Sequence, residues 1–150
     1  MMNYDEARTA VSNMANGEDS PIRMWPVDQE DVREAEERIG RDLPQSLKEV
    51  WFDIGAGFFQ GSPQGKVQIS RINALMSPDE VADACEGKES GETTPFFDVS
   101  DGDHLVLTTS GSVEHPVYPG VEISPSLKAF IAAVTETPDF WNRQLPSPRP

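Results

Sequence analysis

One short stretch of the chain concentrates the side chains that could do chemistry: Asp98-Val99-Ser100-Asp101-Gly102-Asp103, followed by His104. Three carboxylates in six residues could bind a cation, and the adjacent histidine could transfer protons. A calcium loop, however, needs oxygen ligands at closely defined positions and a ligating Glu after them. Val99 stands where a ligand would be needed, and no Glu follows at the required distance. The stretch is more typical of a turn between two strands, so we expect no bound metal.

The other reactive side chains are few and scattered. His104 and His115 are the only histidines, and neither belongs to a cluster that would hold zinc. The chain contains no Gly-x-Ser-x-Gly nucleophile turn and no glycine-rich phosphate loop before a helix. The single cysteine, Cys85, cannot form an internal disulfide, and we expect it to be a small buried residue beside Val81 and Ala84. The sequence therefore predicts a protein that is not an enzyme and needs no cofactor.

Negative charge, in contrast, is abundant and unevenly distributed. The chain has 26 acidic and 12 basic residues, a net charge of −14. Between Ile72 and Leu127 there are eleven acids and one base, Lys88. Such a field repels nucleic acid and anionic membrane surfaces and attracts basic proteins. We therefore expect a basic protein partner and no direct contact with nucleic acid or membrane, although acidity also serves solubility alone.

The acids of this stretch fall on a short helix, the loop after it and the next turn. If these segments share one side of the sheet, they form a surface that steers a cationic partner toward the protein. Aromatic residues usually provide the buried anchors of an interface. Phe58, Phe59 and Phe97 are candidates if they are exposed, although core packing is the commoner outcome. The predicted partner-binding residues are Asp79, Glu80, Asp83, Glu86, Glu89, Glu92, Asp98, Asp101 and Asp103.

Apolar residues at helical spacing predict a helical hairpin before the acidic stretch. Asp28 is placed to cap the first helix and Gly40 to end it. Leu43-Pro44 opens the second helix, with proline at its first position. The apolar faces of the two helices are Val32, Ala35 and Ile39, and Leu47, Val50, Trp51 and Ile54.

Three further helices are predicted elsewhere in the chain. Residues 4–13 form a weak N-terminal helix. Ser77-Pro78-Asp79-Glu80 has the pattern of a capping box. Ser124 is placed to cap a last helix that begins at Pro125 and buries Leu127, Phe130, Ile131 and Val134.

The remaining apolar segments predict strands joined by short connections. We expect strands at Phe58-Phe59 and residues 66–70, around a Gly/Pro turn, and four more at 96–99, 104–109, 112–114 and 117–118. Because the connections are too short for parallel crossovers, the strands should form an antiparallel meander.

The order of these elements resembles the SUKH superfamily of Smi/Knr-like domains. Its opening signature is a helix, a glycine, a Leu-Pro pair, a second helix with an aromatic residue and a glycine-containing turn. The matching residues are Val32…Ile39-Gly40…Leu43-Pro44…Leu47-Lys48…Trp51…Gly55-Ala56-Gly57. The central strands and closing helix are similar to Phe96…Asp101-Gly102-Asp103…Leu105-Val106-Leu107…Gly111…Val113…Tyr118 and Ser126-Leu127-Lys128-Ala129-Phe130-Ile131. The family usually has an Asn-Gly-Gly-like turn where this chain has Gly55-Ala56-Gly57.

The resemblance covers about residues 22–135 and implies an α+β fold, a twisted, mostly antiparallel sheet with helices packed against it. We expect one domain over residues 1–150, with a core at about 22–141, an N-terminal helix or arm at 1–20 and a loose proline-rich tail at 142–150. A signal peptide and an apolar run of about 20 residues are both missing, so we expect a cytoplasmic location.

The resemblance also implies a function. In bacteria such domains are commonly immunity proteins that neutralise a cognate toxin, often a nuclease or another enzyme that acts on nucleic acid. In fungi they serve as interaction scaffolds, so a non-catalytic adaptor with an endogenous protein partner is the alternative. A small hydrolase or ligand-binding domain that uses Asp101, Asp103 and His104 is a third hypothesis, and it requires these groups to converge in a deep pocket.

Overall fold

The computed structural model describes residues 2–14, 22–61, 73–86, 93–99, 104–116, 118, 121–138 and 140–143 of the 150-residue chain. Within them, six helices and seven strands alternate irregularly along the sequence. In chain order the elements are α1 (Tyr4–Met14), β1 (Ile22–Trp25), α2 (Gln29–Ile39), α3 (Gln45–Ile54), β2 (Ala56–Phe59), β3 (Ala74–Leu75), α4 (Pro78–Cys85), β4 (Thr93–Asp98), β5 (His104–Thr108), β6 (Val113–Glu114), β7 (Glu122–Ser124), α5 (Leu127–Glu136) and α6 (Phe140–Arg143).

The seven strands form one antiparallel sheet in the order β1-β2-β3-β4-β5-β6-β7. Each strand pairs with its neighbours in sequence, so the predicted α+β class and the antiparallel meander are confirmed. Three short strands, β1, β3 and β7, were not predicted. Tyr118 is not in a strand, contrary to expectation, and Val117 lies outside the described residues. The next strand in the described part of the chain is β7. The predicted strand at 66–70 lies outside the described residues.

The two faces of the sheet carry different side chains, because successive residues of a strand point to opposite faces. One row across five strands is apolar and buried: Met24, Gly57, Leu75, Phe97 and Leu105. The adjacent row, on the opposite face, is half-buried or exposed: Arg23, Phe58, Ala74, Asp98 and His104. We call the face that carries this second row the open face.

Helices cover the apolar face and form the core with it. Helices α1, α3 and α5 contact one another, while α2 packs on α4 and α4 packs on β4. The ring of Phe130 on α5 lies 4.9 Å from that of Phe97 and 5.4 Å from that of Phe96. The N-terminal helix contributes Ala7 and Val11, both fully buried, so the packed part of the molecule begins within α1.

The helix starts follow the local capping chemistry. Asp28 caps α2 and Ser77 caps α4. Each capping side chain accepts a hydrogen bond from the backbone N–H of the third residue of its helix. The carboxylate of that third residue accepts a hydrogen bond from the backbone N–H of the cap. Pro44 precedes α3 as its cap instead of occupying its first turn. The prediction for α5 was wrong. Ser126 is the cap, because its hydroxyl accepts from the Ala129 N–H, while Ser124 ends β7.

Two glycines allow β2 to lie unusually close to β1. At Gly55, φ is +88°, a conformation that disfavours any residue with a side chain, and an added Cβ would overlap the Trp25 carbonyl oxygen. At Gly57 an added Cβ would overlap the Arg23 carbonyl oxygen. The glycine-containing turn predicted from the sequence is therefore where the first two strands are brought together.

Gly55→Ala should destabilise the protein more than Gly40→Ala does. Gly40 also has a positive φ, +76°, but nothing lies within 4 Å of an added Cβ, so the left-handed conformation alone should cost about 1–2 kcal/mol. At Gly55 the overlap with β1 adds to this penalty, and we expect a loss of at least ~3 kcal/mol in the free energy of unfolding. Urea denaturation of both variants measures this difference. Equal losses would show that β1 and β2 separate easily.

A second prediction concerns the carboxylate that joins α2 to α3. Glu36 accepts hydrogen bonds from the Leu43 N–H at 2.8 Å and from the Lys48 ammonium at 3.1 Å. Burial alone would raise the pKa of Glu36, but these two donors together hold the pKa below its ordinary value of 4.5. The stabilisation by Glu36 is therefore present above pH 4.5 and is lost as the pH falls through the lowered pKa.

We expect Glu36→Gln to lower the free energy of unfolding by roughly 1 kcal/mol at pH 7. The difference from the unmodified protein should shrink below pH 4.5. Glu34→Gln, at an exposed position of the same helix, is the control and should leave the stability unchanged. A difference for Glu36→Gln that is constant from pH 3 to pH 7 would contradict this account.

Candidate functional site

Trp25 differs from the other two tryptophans of the chain. Trp51 and Trp141 are buried, and their indole N–H groups donate hydrogen bonds of 2.8 Å to the Met76 carbonyl and the Asn73 side chain. Trp25 is 55% exposed, and its indole N–H has no hydrogen-bond partner in the described part of the chain. A large exposed ring with an unused donor is a common feature of interaction surfaces.

Trp25 and Phe58 form one side of a cleft. Their rings meet edge to face, with centroids 5.9 Å apart and an interplanar angle of 79°. The cleft has a volume of about 490 Å³ and lies where the open face meets the first turns of α2 and α4. Its lining is Trp25, Pro26, Val27, Asp31, Ala56, Gly57, Phe58, Ala74, Leu75, Ser77, Pro78, Asp79, Glu80 and Asp98. We call it the Trp25 cleft.

The strand register places the two rings together. Trp25 lies opposite Ala56, and Phe58 lies opposite Arg23, so the two aromatic residues are diagonal neighbours on adjacent strands. Ala56 and Ala74 are small, which leaves space beside the rings. The floor of the cleft is therefore apolar although it opens to solvent.

Among the described residues, four carboxylates line the Trp25 cleft. Two are held by helix caps: Asp31 accepts from the Asp28 N–H at 3.3 Å, and Glu80 accepts from the Ser77 N–H at 2.9 Å. Asp79 is exposed and lies 4.0 Å from an Arg38 nitrogen. The fourth, Asp98, is half-buried on β4, and its carboxylate makes no hydrogen bond or ion pair with the residues that the structure describes.

The predicted acidic residues divide into three groups. Asp79, Glu80 and Asp98 lie at the cleft. Asp83 and Glu86 both bind Arg38 of α2, at 2.6 Å and 3.1 Å, and these hydrogen bonds raise the pKa of the guanidinium. The others lie outside the described residues: Glu89, Glu92, Asp101 and Asp103. Part of the negative charge on α4 is thus already neutralised within the chain.

The three phenylalanines considered as interface anchors differ in their burial. Phe59 and Phe97 are fully buried in the core, so neither can be an interface anchor. Phe58 is half-buried at the cleft. The sequence reasoning missed Trp25, although its position two residues after Arg23 would place both on the exposed side of a strand. Phe52, on α3, is 47% exposed and lies outside the cleft.

The reactive residues form no recognisable catalytic group among the described residues. His104 pairs in register with Asp98, while Asp101 and Asp103 lie outside the described part of the chain. His115 is buried against the Tyr118 ring. Cys85 was expected to be buried, but it is only half-buried. It lies near Arg41, at the last turn of α4. The described residues contain no set of three or more His, Cys, Asp or Glu side chains arranged to hold a metal ion.

No described helix combines the length and the apolar character that crossing a membrane requires.

Comparisons with known proteins identify relatives of the chain. The model of the SMI1 / KNR4 family (SUKH-1) matches residues 26–133. An immunity protein of Bacillus subtilis (strain 168), named YxxD, is 25% identical over 131 residues, which cover 79% of this chain and 86% of the relative. No solved structure matches the chain significantly.

The geometry of the cleft predicts a distinct fluorescence for Trp25. Because only Trp25 is exposed among the three tryptophans, Trp25→Phe should remove most of the emission that acrylamide quenches. Trp141→Phe, checked by circular dichroism to be folded, should leave that emission in place. If acrylamide quenches the Trp25→Phe variant as efficiently as the unmodified protein, Trp25 is not the exposed ring.

Proposed function

Because the chain belongs to the SMI1 / KNR4 family (SUKH-1), we propose that it is an immunity protein that binds and neutralises a cognate toxin. The observation that carries the proposal is the relative named as an immunity protein, which aligns with most of both chains. The Trp25 cleft supports it, since exposed aromatic rings beside carboxylates are a chemically suitable site for another protein. In this proposal the protein acts by binding alone, in the cytoplasm, and catalyses no reaction.

The toxin is proposed to be a basic protein that acts on nucleic acid, such as a nuclease. An enzyme of that kind needs a cationic surface to bind phosphates. The acidic side of α4 and the carboxylates of the cleft offer that surface an opposite charge. Binding there would cover the substrate site of the toxin or an adjacent surface, and the charges would accelerate association.

The direct experiment is co-expression with the product of the adjacent gene. We expect this chain to restore growth that the neighbouring protein inhibits, and to co-purify with it at low salt. If no neighbouring gene product is toxic or binds at low salt, the immunity role is wrong. A role as a scaffold for an endogenous protein then becomes the better explanation.

The association rate should depend on where the charges lie on the protein, and not on the net charge alone. Asp79→Asn/Asp83→Asn and Asp5→Asn/Glu6→Gln each remove two negative charges, the first pair from α4 and the second from α1, which packs on α5 instead. We expect the α4 variant to slow association by about tenfold at low salt and the α1 variant by much less. The difference should disappear at high salt, where charges are screened. Equal slowing by both variants would mean that α4 is not at the interface.

A further inference from the structure

We infer that the Trp25 cleft is the anchor site of the interface and that it receives an arginine side chain of the toxin. This inference rests on the proposed function and names the chemistry of the contact. In this arrangement the guanidinium lies against the Trp25 and Phe58 rings, and its charge is directed at Asp98.

The aromatic pair is suited to a planar cation. A guanidinium stacks on aromatic faces and also forms paired hydrogen bonds with a carboxylate. Trp25 and Phe58 present two rings at a steep angle to each other, and both line the same cleft as Asp98. The apolar floor of Ala56 and Ala74 would pack against the methylene groups of the arginine.

The charge of the cleft favours a cation over other occupants. Four of the described residues that line it are acidic, and none of these described residues is basic. Arg38 of α2, which lies 4.0 Å from Asp79, is bound to Asp83 of α4 and to Glu86, which follows α4. An anionic group would be repelled, and an apolar group would bury Asp98 without a partner, which is unfavourable. Only a cation can interact favourably with both the aromatic rings and the carboxylate.

Arginine fits better than lysine. The lysine ammonium is compact and strongly hydrated, so transferring it to an apolar cleft is harder. The arginine guanidinium is less strongly hydrated and can contact a ring face and a carboxylate at the same time.

This arrangement assigns different roles to the two acidic regions. The exposed carboxylates of α4 act at long range and set the association rate. The residues of the Trp25 cleft interact with the partner only after the two proteins are in contact, so they should set the dissociation rate. A few such anchors usually dominate the affinity of an interface.

The first test measures affinity for the purified product of the adjacent gene. We expect Trp25→Ala to weaken binding at least ~10-fold, mainly through faster dissociation. Phe52→Ala, at an exposed aromatic residue outside the cleft, is the matched control and should change affinity less than about 3-fold. A smaller loss for Trp25→Ala, or a loss as large for Phe52→Ala, would overturn the inference.

Asp98→Asn tests the identity of the occupant. It keeps the shape of the side chain and removes the charge, so an arginine should bind at least ~10-fold more weakly. In Trp25→Ala/Asp98→Asn the two losses should be less than additive, because both residues contact the same group. If Asp98→Asn binds as tightly as the unmodified protein, the occupant is not a cation.

A titration with small peptides separates this inference from the proposed function. The Trp25 indole N–H resonance should shift with Ac-Gly-Arg-Gly-amide, shift less with Ac-Gly-Lys-Gly-amide, and not shift with the norleucine analogue. This result would support the cleft as an arginine site even if no neighbouring toxin is found. Equal shifts with arginine and norleucine would contradict the inference and leave the immunity role intact.

Discussion

The close approach of β2 to β1 is the constraint on which the site depends. It exists because neither Gly55 nor Gly57 carries a side chain that would collide with the backbone of β1. The approach fixes the register in which Met24 enters the core and Trp25 faces outward. The same register places Phe58 diagonally beside Trp25. A turn that looks like a simple chain reversal in the sequence therefore determines which aromatic rings the open face presents.

The distribution of charge matters more than its total. A net charge of −14 describes the field at a distance, but the individual carboxylates have different partners. Asp31 and Glu80 are held by helix caps, and Asp83 and Glu86 bind Arg38. Asp98 is left without a partner among the described residues, beside an apolar cleft. A partner that supplies a cation there gains more than one that meets the paired charges of α4, because the cation need not displace Arg38.

Much of the fold was predictable from the sequence, because its signals are local. The caps at Asp28 and Ser77, the stop at Gly40 and the apolar faces of the helices all depend on residues within a few positions. Strands β1, β3 and β7 contain two to four residues each, too few to show a clear alternation. The serine that caps α5 was misjudged because Ser124 and Ser126 both precede the helix, and only the backbone decides between them. The cleft combines residues from Trp25 to Asp98, and no local pattern indicates such a combination.

We propose that the protein recognises its partner through the open face around Trp25 and the first turn of α4. Hydrogen exchange of the complex with the neighbouring gene product tests this most directly, because it reports every covered segment without altering a residue. We expect slowed exchange at residues 22–27, 56–58 and 77–80 upon binding, with α1 and the exposed side of α3 around Phe52 unchanged. Slowed exchange confined to α1, α3 or α5, with residues 22–27 unaffected, would contradict the account.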